Sequence, residues 1–146
     1  MLGRATLLLA VALPLAGIDL LHKALASTPE WAYHARGGAW VALSACVVLG
    51  CLALARVPSA AVAGASGLLA AGAAGNGIAA VAWDRGIPNP IVWESSTRAA
   101  AFNLADVYTL VGIALLMVLL GSFTIRNRER LLPPRAFARM LWQRFR

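Results

Sequence analysis

With 146 residues, 60% of them hydrophobic and only 13% charged, the chain has the length of one domain but not the composition of a water-soluble one. Thirteen basic against six acidic residues give a net charge of +7, yet the basic residues gather at the ends of apolar runs, where they orient a membrane protein. Nucleic acid is therefore not an expected partner. Cys46 and Cys51 lie five apart in one apolar run and off one another's helical face, so neither a disulfide nor a functional role is expected of them.

The first run, residues 5 to 26, follows Arg4 and is long enough, at about 1.5 Å per residue, to cross a hydrocarbon core of about 30 Å. Pro14 falls in mid-span, where a kink is expected. Asp19 and Lys23 stand four apart on one helix face, so the two charges can pair, either as a snorkelling pair near the interface or as part of a site. Ala24-Leu25-Ala26 also has the small-x-small shape of a cleavage site. A second reading therefore makes the run a signal peptide, with Asp19, His22 and Lys23 an unusually charged approach to the cut. His22 has no ligand partner at metal spacing, and no metal site is expected.

Residues 27 to 38 are polar, broken by Pro29, Gly37 and Gly38 and flanked by Trp31, Tyr33 and Trp40, as expected of a loop at a membrane surface. A second span, residues 39 to 55, stops at Arg56 and Pro58. The third, residues 59 to 83, is built chiefly of Ala and Gly. Gly67, Ala71, Gly75 and Ala79 recur every fourth residue, a small-residue ridge that predicts close helix approach and a place inside the bundle. Asn76 is its one strongly polar residue, and an amide at that depth needs a partner on a neighbouring helix.

Residues 84 to 101 form the longest connection, in which Ile91, Val92 and Trp93 are placed to enter the interface or to cover a site. The fourth span, residues 102 to 125, opens with Phe102-Asn103-Leu104-Ala105-Asp106 and carries no charge from Val107 to Ile125. Leu116 is expected to face lipid. A carboxylate costs on the order of 2.5 to 3.5 kcal/mol at the centre of a membrane helix and less near its end, which makes Asp106 the first candidate for function. In the basic tail, residues 126 to 146, Phe137, Met140, Leu141 and Phe145 fall on one face with Arg135, Arg139 and Arg146 elsewhere. That pattern suits either an amphipathic helix on an anionic leaflet or a solvated tail.

Outside the spans, nine basic residues fall on the side of Arg4, Arg56 and Arg126, and three (Arg36, Arg85, Arg98) on the other, so both termini are expected in the cytoplasm. The expected fold is all-α, a single four-helix transmembrane domain. Counted along the helices, Asp19, Asn76 and Asp106 come to similar heights, with Lys23 and Asn103 one turn further out. One polar cluster, open to the extracytoplasmic face, is predicted.

Asp-x-x-x-Lys on span one (Asp19, Lys23), Gly-Asn near the outer end of span three (Gly75, Asn76) and Phe-Asn-x-Ala-Asp opening span four (Phe102, Asn103, Ala105, Asp106) together resemble the signal peptidase II family, the bacterial lipoprotein signal peptidases. The resemblance runs the length of the chain, and Phe-Asn-x-Ala-Asp is its most specific part. It implies a multi-pass protein of the bacterial cytoplasmic membrane, surrounded by membrane lipid. It also implies an intramembrane aspartic peptidase without cofactor or metal, acting on the signal peptide of a lipid-modified prolipoprotein before the diacylglyceryl cysteine. On the family's pattern Asp106 is one catalytic aspartate, with Asn76, Asn103, Asp19 and Lys23 as binding or supporting residues. The position of the second aspartate holds Ala79, followed by Ala80 in place of an arginine. The family's Asn-x-Gly-Ala-x-Phe signature is missing from residues 27 to 38, and Pro88-Asn89-Pro90-Ile91 replaces its Val-x-Asp-Phe stretch. An aspartic peptidase divides acid and base work between two carboxyls. The expectations are thus an enzyme that draws its second acid from Asp84, Asp19 or a partner, an inactive relative that still binds lipidated segments, or a structural membrane subunit.

Overall fold

The structure, a computed structural model, describes residues 2–130 and 142–143. The expectations for the tail beyond Arg130 lie almost wholly outside the described residues. The chain is mainly helical. Its four helices are α1 (Leu2–Leu25), α2 (Gly38–Leu54), α3 (Ala60–Ala82) and α4 (Leu104–Arg126), each within three residues of its expected bounds. By length and apolarity α1, α3 and α4 are sufficient to cross a membrane, and α2, with 17 residues, is shorter.

Two small antiparallel sheets correct the all-α expectation. β1 (Tyr33–His34) pairs with β2 (Ile87–Pro88), joining the two long connections, and β3 (Ile91–Glu94) pairs with β4 (Ala99–Phe102) in a hairpin closed by Ser95 and Arg98. Strands of two residues leave no periodic trace, and the run Ala99-Ala100-Ala101 carries no strand propensity of its own, so pairing with Ile91-Val92-Trp93 imposes the extended backbone. Phe102 accordingly ends a strand, and α4 starts only at Leu104, after Asn103.

The Ala/Gly-rich α3 is the hub. In its most apolar stretch 56% of the residues are buried, against 22% in α1 and 17% in α4. Its glycines address different neighbours. A Cβ on Gly67 would meet the Leu8 carbonyl and Val11 of α1; one on Gly72 would meet Ala105 and Thr109 of α4; one on Gly77 would meet Ser44 of α2. The ridge Gly67, Ala71, Gly75, Ala79 is buried throughout, as predicted. Near the Arg4 end, Leu8, Ala12, Cys51, Ala55 and Ala70 form one apolar cluster. Val62, Ala65 and Leu116 form a second. Leu116 is only 6% exposed and does not face outward as expected, because a helix apolar on every side gives no marker of which face packs. There too the Arg4 guanidinium donates to the Ala55 carbonyl (3.0 Å), closing the C-terminal turn of α2.

Candidate functional site

The site lies at the opposite end of the bundle, under the two paired connections. Asp19 and Lys23 form their expected one-turn pair (2.7 Å), with both side chains fully buried, so the snorkelling alternative does not hold. The second Asp19 oxygen accepts the backbone N–H of Ala105 (2.8 Å), one of the donors left open in the first turn of α4. Gly75 makes this possible, since a Cβ there would stand 2.5 Å from Asp19 Oδ2.

Lys23 also donates to Asn76 Oδ1 (2.8 Å), and Asn76 Nδ2 donates to Asp106 Oδ1 (2.8 Å). The amide on α3 thus finds the neighbouring partners its depth requires, on α1 and on α4 at once. The other Asp106 oxygen accepts the Asn103 N–H (3.1 Å), while Asn103 Oδ1 accepts the Asp106 N–H (3.0 Å). This reciprocal capping box sets a carboxylate in the first turn of α4, where the helix dipole favours negative charge. All five predicted site residues therefore belong to one network.

Asn89 and His34 extend it beyond what the sequence indicated. Asn103 Nδ2 donates to Asn89 Oδ1 and to the Pro88 carbonyl (3.4 Å), and Asn89 Nδ2 lies 2.8 Å from His34 Nδ1. Asn89 is 2% exposed although it lies in a connection; the signal available was an asparagine held between two prolines, Pro88 and Pro90.

Asp106 is partly exposed and faces a groove of about 360 Å³ between α2 and α4, walled by Trp40, Leu43, Val47, Leu69, Leu110 and Ile113. A smaller polar chamber of about 60 Å³ opens beyond it, bounded by His34, Arg36, Asn89 and Asn103. The buried indole N–H of Trp40 has no hydrogen-bond partner among the described residues. Chemically, the groove offers an apolar wall with, among the described residues, one carboxylate at its edge.

The other candidate acids do not join it. Asp84 is exposed in the turn after α3 and makes no hydrogen bond or ion pair to Asp106 among the described residues. Ala79 is fully buried one turn beyond Gly75. Asp19, occupied by Lys23 and Ala105, is sealed from the groove. Among the described residues no group of three His, Cys, Asp or Glu is disposed to hold a metal ion. Comparison with family models, with curated proteins and with solved structures finds no match to this chain.

Proposed function

We propose that this chain is a bacterial cytoplasmic-membrane protein of the signal peptidase II type, which binds a lipid-modified prolipoprotein segment without hydrolysing it. Four spans with both termini in the cytoplasm fit the nine-to-three asymmetry of basic residues, and they set the polar network at the extracytoplasmic end. One observation carries the reading. The groove, about 360 Å³ and walled mostly by apolar side chains, suits an acyl chain, yet among the described residues the only carboxylate lining it is Asp106. Intramembrane aspartic proteolysis needs one carboxyl to activate water while another protonates the carbonyl or the leaving amine. With Ala79 at the position of the second aspartate and Asp19 engaged by Lys23, that division of labour has no second member among the described residues.

The test uses the purified chain in lipid nanodiscs with a photo-crosslinkable lipidated prolipoprotein. Crosslinking to α2 and α4 without release of a signal peptide is expected. Efficient cleavage, abolished by Asp106→Asn, would replace this reading with that of a hydrolase having a second acid. Absence of any crosslink would reduce the network to a device for bonding helices. Reporters fused after Arg56 are expected to read cytoplasmic, and those within residues 27 to 38 and 84 to 101 extracytoplasmic.

A further inference from the structure

The two carboxylates of the site are not equally paired. Asp19 holds the Lys23 ammonium directly, while Asp106 reaches it only through Asn76 and so has no ion-pair partner of its own among the described residues. Among the described residues the ion pairs are Lys23–Asp19 and Arg85–Glu30, and neither includes Asp106. The remaining basic groups near the groove are His34, whose Nδ1 is engaged by Asn89, and Arg36, whose guanidinium lies over the Trp40 ring at 4.7 Å. A carboxylate at the end of an apolar groove, with lone pairs still free, is matched by a cationic donor carried in with an acyl chain.

We infer that the groove selects a lipidated chain end bearing a free α-ammonium over the same end carrying an amide. The inference rests on the binding reading above and adds to it a preference for the cleaved form of the same lipidated segment. In an uncut prolipoprotein the nitrogen of the modified cysteine is part of a peptide bond and carries no charge. Hydrolysis of that bond breaks C–N: the acyl carbon takes hydroxyl from water and leaves as a carboxylate, while the nitrogen takes up protons to become an ammonium. The preferred ligand is therefore the product of an endopeptidase acting before this protein. Asp106 receives its ammonium, and the walls formed by Leu43, Val47 and Leu110 its acyl chain.

The test compares two synthetic S-diacylglyceryl-cysteinyl peptides, one with a free N-terminus and one N-acetylated, for binding to the nanodisc-embedded chain. The wild-type protein at pH 6.5 is expected to prefer the free amine on the order of tenfold, the scale of a hydrogen bond to a charged group. The preference should fall toward unity in Asp106→Asn. In the wild-type protein it should also fall as pH rises past about 7.7 to 8.0, where an α-ammonium loses its proton, while binding of the acetylated peptide stays level. The pH series decides the matter even if Asp106→Asn fails to fold. Equal or tighter binding of the acetylated peptide by the wild-type chain overturns this inference and leaves the binding reading standing, whereas binding of neither peptide removes both.

Discussion

Along its length α3 meets its neighbours in two unlike ways. Near the Arg4 end the contacts are apolar and interchangeable in kind: Leu8, Ala12, Cys51 and Ala55 around Ala70, and Leu116 against Val62 and Ala65. Toward the paired connections each polar group has specific partners, and the chain Asp19–Lys23–Asn76–Asp106–Asn103 ties three helices together. Packing of the first kind tolerates swaps that conserve volume, because lipid outside the bundle is as apolar as its core. Packing of the second kind fixes register and rotation, since a slip of one residue on any helix would strand a buried charge. The apolar half thus packs the helices without fixing their register, and the polar half fixes the register that positions Asp106.

The contrast predicts a graded series of effects on thermal unfolding in detergent. Lys23→Met leaves Asp19 buried without its counter-charge and should cost about 3 to 5 kcal/mol, much of it recovered when Asp19→Asn is added. A cost below that of any apolar substitution would erase the distinction. Gly75→Ala, whose Cβ would press on the Asp19 carboxylate and on Ala105, should cost up to about 3 kcal/mol. Gly64→Ala, with open space around it, should be neutral or slightly stabilising. Leu116→Ala should cost about 2 kcal/mol, at the low end for a buried leucine because the apolar surface it loses is exchanged with lipid and not with water. Ser59→Ala, which removes the side-chain cap on the Val62 N–H, should cost about 1 kcal/mol. Met117→Ala, 73% exposed, should stay within about 0.5 kcal/mol and serves as the lipid-facing control.

The polar half was the more legible from sequence alone. In a run such as residues 59 to 83, one amide among apolar residues must be answered by another helix, and so Asn76, Asp106 and the Asp19–Lys23 pair could be placed together by height. The hub position of α3 was legible for a related reason, its want of side-chain volume. Leu116 was not, because every face of the fourth span is apolar and periodicity gives no direction. The every-fourth-residue pattern found one ridge of α3 and passed over Gly72 and Gly77, which face α4 and α2. Asn89 and His34 escaped notice because polar residues are expected in connections. Only the pairing of β1 with β2, a contact between distant parts of the chain, buries Asn89 beneath them.

That outer link also has a polarity. The Asp106 N–H holds the Asn103 oxygen, so the Asn103 NH₂ must point toward Asn89; Asn89 then offers it an oxygen and turns its own NH₂ to His34. Each amide's orientation is dictated by the one before it, beginning at a backbone donor that cannot rotate. At the end of this sequence His34 must present a lone pair at Nδ1, so the proton of the neutral ring resides on Nε2. Nitrogen chemical shifts of that imidazole, at the surface, therefore report whether the first turn of α4 is still capped.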